Sequence, residues 1–200
     1  NAAYGMYSVG TTVPIEVKPL GLMNYMEVNA GSGIVGDVFH AMYLDLLAYS
    51  EGQIKVHHYT YDIDTWEQLS DDNLGRDGLS LCAMETAQDR KSGKIYGVFW
   101  DESGTNLQWG VIDYTKMKRN FIGWAERQYV ALGISKEGTL YGISLDGNLY
   151  SISTTDGKET LVGSTGVTVR DSDGSYYQQS GEIDQKTNIF YWASIDKDGK

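Results

Sequence analysis

The stretch Gly138-Thr-Leu-Tyr-Gly-Ile-Ser-Leu-Asp-Gly147-Asn-Leu-Tyr-Ser-Ile-Ser153 writes one phrase twice, nine residues apart: Gly-x-Leu-Tyr-x-Ile-Ser. Each copy reads as a short strand entered through a tight turn, with glycine where positive φ is cheap. A longer echo surrounds it. Asp89-Arg-Lys-Ser-Gly-Lys-Ile-Tyr96-Gly97 matches Asp184-Gln-Lys-Thr-Asn-Ile-Phe-Tyr191-Trp192, and both match the copy at 138–142 more loosely. Tyr96, Tyr141 and Tyr191 are thus about 45–50 residues apart. Short strands repeating at that period predict an all-β chain, a β-propeller of four-stranded antiparallel blades.

The third repeat is the clearest: strands near 129–135, 139–144, 148–153 and 159–164. The preceding repeat predicts strands near 81–87, 94–100, 108–114 and 119–124, and its Phe121-Ile-Gly123 aligns with Leu161-Val-Gly163. A weaker first repeat predicts strands near 35–42, 44–49, 54–61 and 66–69, with 41–47 also readable as a helical turn. Residues 24–32, 71–78 and 167–174 read as links. Met6-Tyr-Ser-Val9 matches Leu149-Tyr-Ser-Ile152, which makes it a third strand, with a fourth near 15–20. The expected division is a partial blade at 1–22, blades at about 33–70, 79–126 and 129–165, and a partial blade at 176–200. The favoured expectation is one domain belonging to a larger ring of six to eight blades. The alternative is a ring of four closed by the two half-blades.

The 200 residues carry a net charge of −11, with 24 Gly and 15 Tyr. That balance argues against nucleic acid, since phosphate recognition needs clustered Lys and Arg. The one basic cluster, Lys116, Lys118 and Arg119, reads as a solvated strand edge. No apolar run is long enough to span a membrane. The lone Cys82 lies in an apolar run and reads as a buried, inert thiol.

The phrase from Gly147 to Gly163 resembles repeats of secreted or surface propellers of Bacteroides-like bacteria, a largely uncharacterised group. The resemblance covers about 79–200 clearly and the first third weakly. It implies a secreted, periplasmic or cell-surface propeller beside adhesive modules. The motif is structural and carries fold, not activity. The same phrase is similar to quinoprotein repeats, but the docking Trp is missing near Leu161 and Val162. Ser144-Leu-Asp146-Gly147 is similar to the Asp-box of sialidases, yet no arginine triad can be assembled from the five arginines.

Other candidate chemistry is weaker than its structural alternative. His57 and His58 are adjacent on a strand and face opposite ways, so they cannot share one ion. The run 171–182 places acids as a calcium loop does, but Tyr176 stands where glycine is required. Asp71-Asp72-Asn73 and the acids near 196–198 read as turns, so no cofactor is expected and calcium there would be incidental. Glu85, Glu182 and Asp37 fall near the expected axial channel and would serve a glycosidase or lyase only if they converged. Trp124 and Tyr141 read as packing residues. The ligand-binding candidates are Trp100, Asp101, Glu102 and Trp109, which bracket the longest inter-strand loop. A non-catalytic module for a glycan or protein partner is the leading expectation, with a propeller hydrolase or lyase as the alternative.

Overall fold

The computed structural model describes residues 5–9, 14, 16–22, 27–170 and 178–195. Sixteen strands fall into five antiparallel sheets among these residues. The first four-stranded sheet runs β3 (Glu27–Val35), β4 (Val38–Asp45), β5 (Val56–Asp62), β6 (Gln68–Asn73). The second runs β7 (Glu85–Gln88), β8 (Ile95–Trp100), β9 (Leu107–Asp113), β10 (Lys118–Ala125). The third runs β11 (Tyr129–Ile134), β12 (Leu140–Ser144), β13 (Asn148–Ile152), β14 (Glu159–Ser164). Two hairpins complete the set: β1 (Gly5–Val9) with β2 (Val17–Leu22), and β15 (Gln178–Asp184) with β16 (Ile189–Ile195). Tyr96 and Tyr141 occupy the second position of equivalent second strands, as the repeat demands.

The middle strands are buried on both faces. In β8, Tyr96 and Val98 join a core with Trp109, Tyr129, Leu132, Ile134 and Ile152. Their neighbours Ile95 and Phe99 point the other way, into a core with Met42, Val56, Ala83 and Ile112. Ala131, Ile143 and Val169 form a third core against Phe190 and Trp192. Doubly buried strands read as continuous apolar runs, which is why Ile95-Tyr-Gly-Val-Phe99 shows no polar alternation. The outer strands β6, β10 and β14 are largely exposed.

The first strands of successive sheets pack side by side: β3 on β7, β7 on β11 and β11 on β15. Thr86 and Gln88 of β7 read the backbone of β3. The Thr86 hydroxyl donates to Ser32 O at 3.0 Å and accepts from Ser32 N at 3.2 Å. The Gln88 amide accepts from Ile34 N at 2.8 Å and donates back to Ile34 O. A second lock ties sheet two to sheet three. The Glu159 carboxylate, 0% exposed, pairs with Arg127 and accepts from Trp109 Nε1 at 3.1 Å and Glu126 N at 3.0 Å. Arg127 also lies 4.1 Å over the Tyr150 ring.

Three hairpin turns share one design. Trp66 N donates to Asp62 O, Gly93 N to Asp89 O and Asn188 N to Asp184 O, and the donor residue is left-handed each time. The aspartate side chain then caps the loop through Thr65, Ser92 or Thr187. This is the chemistry behind the echoed Asp-x-x-Ser/Thr phrase.

Two features differ from the sequence reading. The first sheet begins earlier than expected: β3 covers part of the stretch read as a link, β4 replaces the expected first strand, and a short helix, Leu46–Ser50, follows. Small and polar residues at 29–32 hid that strand because the ladder bulges there, between Asn29 and Ser32. In sheet two a 3-10 helix, Gly75–Leu81, precedes β7, which shortens the expected first strand.

Gly93 and Gly123 separate two reasons for glycine. Gly93 has φ +74, and nothing lies within 4 Å of the place a Cβ would take, so only backbone strain opposes a side chain. At Gly123 a Cβ would lie 1.9 Å from Asp156 O in the next sheet. Urea unfolding should show Gly93→Ala losing about 1 kcal/mol. Gly123→Ala should lose about 2 kcal/mol or more, because sheet two must move off sheet three.

Candidate functional site

The starts of the inner strands border a cleft of about 160 Å³. Met84, Val130 and Leu145 give it apolar walls, and Glu85, Gln128 and Gln179 supply polar groups. The residues come from three sheets: β7, β11 with the end of β12, and β15. No lysine or arginine stands among these described lining residues.

Glu85 is the unusual member. Its Oε2 accepts from the Ser180 hydroxyl of β15 at 3.2 Å. Burial pushes its carboxyl up to about 8; the Ser180 hydroxyl opposes the rise and the charge of Glu182 adds to it. Glu182 is exposed on one side, and the side turned from water raises its carboxyl, against backbone donors at Ile183 and Ile134 and the charge of Arg90. Glu182 accepts from Ile183 N at 2.9 Å and does not line the cleft. Asp37 sits exposed in the turn between β3 and β4, beyond the opposite ends of these strands. Of the three acids expected near a channel, the structure brings Glu85 and Glu182 into electrostatic range and leaves Asp37 apart.

The four ligand-binding candidates separate. Trp100 is 41% exposed at the end of β8. Trp109 is 1% exposed, packed on Tyr129 at 5.0 Å and hydrogen-bonded to Glu159, so it presents no face to a ligand. Asp101 builds its own loop: Oδ1 accepts from Ser103, Thr105 N and Asn106 N, and Oδ2 from Asn106 Nδ2. Those donors, the Asn106 side chain first, hold it well below the usual carboxylate range. Glu102 is exposed. Conversely Trp124, expected in the core, is 59% exposed and stacks edge-on with Phe121 at 5.4 Å. The bulge between Phe121 and Gly123 shifts the inside–outside alternation along β10.

The histidines behave as alternation requires. His58 is buried and its Nε2 lies 2.9 Å from His40 Nδ1, while His57 turns to Asp71 at 2.7 Å. Burial, then the His58 charge, lowers His40 to about 4. Cys82 is half-buried, and burial pushes its thiol up to about 11. Among the described residues no group of three or more His, Cys, Asp and Glu could hold a metal ion. Part of the calcium-like run, 171–177, and the acids at 196–198 lie outside the described residues. Among the described residues no helix is long and apolar enough to cross a membrane.

No family model matches the chain, and no curated protein matches it. Among solved structures, the computationally designed Ika4 protein is similar at 16% identity and a TM-score of 0.36, over 88% of this chain and 96% of that one. YCF48 bound to D1 peptide is similar at 12% identity and a TM-score of 0.40, over 84% of this chain and 65% of that one. With both likenesses this distant, function rests on the chain's own residues.

The titrations give opposed pH slopes. Glu85 has a folded value raised above 4.5, so its contribution is full below 4.5 and is lost as pH rises through about 8. His40 has a folded value below 6.5, so its contribution is full above 6.5 and is lost as pH falls toward about 4. Chemical denaturation across pH should show Glu85→Gln matching the parent near pH 4.5. At pH 8 it should exceed the parent by about 2 kcal/mol, a figure reduced for water entering the cleft. An unchanged difference across that range would remove the buried charge from the account.

Proposed function

We propose that the chain is a β-propeller domain that binds a glycan or a protein and performs no chemistry on it, with the ligand entering the cleft at Glu85. The side-by-side packing of β3, β7, β11 and β15, each the first strand of its sheet, supports the propeller reading. The observation that carries the binding reading is Glu85 itself. A half-buried carboxyl that lines a cleft with no basic partner disfavours the folded state once it is charged, and such groups concentrate where a ligand is met. The Gln179 amide is held by Val169 O and Trp192 Nε1, so the Glu85 carboxyl, the Gln128 amide and the apolar walls suit a partner that donates hydrogen bonds and carries a small apolar surface.

Catalysis fits less well. Glycoside hydrolysis needs two carboxyl groups facing one substrate in different protonation states. Here Glu182 is committed to a backbone donor outside the cleft, and both acids are shifted in the same direction. The exposed Trp100 beside Glu102 is a second place where a sugar could stack.

Parallel glycan and peptide arrays test the assignment at pH 7. The parent should bind a defined set, Glu85→Ala should lose it and Trp100→Ala should keep it. Retention by Glu85→Ala with loss by Trp100→Ala would move the site to the Asp101 loop. Release of cleaved glycan by the parent, seen by mass spectrometry, would contradict a purely binding role.

A further inference from the structure

The two hairpins β1–β2 and β15–β16 form separate two-stranded sheets, and each lacks what the other has. In every four-stranded sheet the pairing of third and fourth strands carries one bulge. Leu69 is the extra residue in β6, Ile122 in β10 and Val162 in β14. The β1–β2 pairing carries the same bulge: Met6 faces Gly21 and Tyr7 faces Pro19, so Leu20 is the extra residue. Pro19-Leu-Gly21 thus takes the place of Phe121-Ile-Gly123 and Leu161-Val-Gly163. That makes β1 a third strand and β2 a fourth strand. The pair β15–β16, in contrast, has the turn and tyrosine of first and second strands. Its β16 leaves Ile189 50% and Tyr191 40% exposed, whereas the equivalent Tyr96 is buried under sheet two's later strands. Among the described residues no strand pairs with the far side of β16, and an apolar second strand left so is an edge that folded chains cover.

We propose that β1 lies along the free edge of β16, giving a fourth four-stranded sheet in the order β15-β16-β1-β2 and closing a ring of four sheets. The inner strands agree with so small a ring. β15 reaches past β11 to β7: Ser180 donates to Glu85, Gln185 Nε2 donates to Gln88 O at 2.8 Å, and Arg90 N donates to the Gln185 side chain at 3.3 Å. The gap between next-but-one inner strands widens with every sheet added to a ring, so direct hydrogen bonds across it favour four over six to eight. The register follows from sheet three, where Tyr141 pairs with Ser151 and Gly142 with Tyr150. Aligning Tyr7 with Tyr150 and Tyr191 with Tyr141 pairs Tyr191 with Ser8 and Phe190 with Val9.

Disulfide trapping tests this in the full chain with Cys82→Ser as background. The double variants Ser8→Cys/Tyr191→Cys and Val9→Cys/Phe190→Cys span neighbouring positions, one of which is the closer kind of antiparallel pair. At least one should close within a single chain in most molecules under mild oxidation and raise the melting temperature. Ser8→Cys/Ala193→Cys, two residues out of register, should close far less. Circular dichroism of the reduced proteins checks that each variant folds. Failure of both in-register pairs in folded protein, equal closure of the offset pair, or crosslinks only between chains would overturn the proposal.

Discussion

Burial of both faces of the middle strands is the constraint on which the rest of the structure depends. A sheet that hides one face can stand against a single layer, but β8 has a core on each side and needs sheets on both. Stacking then has to be close, and the chain supplies the means at the sheet junctions. Gly123 lets the backbone of sheet two touch the turn at Asp156, and Glu159 satisfies the indole of Trp109, the backbone of Glu126 and the charge of Arg127 at one point. An ion pair this enclosed contributes little by itself against a well-packed apolar alternative, but removing one partner strands the other. Its effect is to fix how one sheet meets the next.

The cleft follows from the same stacking. Where inner strands from several sheets begin together, their ends cannot all be filled, and Glu85 faces the space that remains. The opposite ends of these strands are tied by turn-to-turn hydrogen bonds, from Lys136 N to Asn188 and from Asn188 to Glu137. The two ends of the inner-strand bundle therefore differ in kind: one is laced by neutral and charged turn residues, the other holds a carboxyl whose charged form its surroundings disfavour. A group that lowers stability as pH rises is a candidate for function because packing gives no reason for it.

Much of the fold was legible because turns impose local chemistry. A left-handed residue after Asp-x-x-Ser/Thr, or a glycine at Gly138 and Gly147, is demanded by a few neighbouring atoms and leaves a mark in sequence. Strands of sheet three could be placed within a residue or two for that reason. What depends on a bulge was not legible. The extra residue at Ile122 turns Trp124 outward, and the irregularity between Asn29 and Ser32 disguises β3 as a link. Trp109 looked like a loop-flanking aromatic, and only the distant Glu159 and Tyr129 explain its burial. The approach of Ser180 to Glu85 joins residues far apart in the chain, and no local pattern announces it. The sequence did mark Glu85 and Glu182 by their positions on inner strands, but not that Glu85 alone of the two lines the cleft.

Native-state amide hydrogen exchange can show whether sheets two and three are stable only against one another. Ile95–Phe99 and Leu140–Ile143 should exchange with one common free energy equal to that of global unfolding, while amides of β10 and β14 exchange through smaller openings. Separate free energies for the two middle strands, each below the global value, would mean that the sheets stand independently of one another.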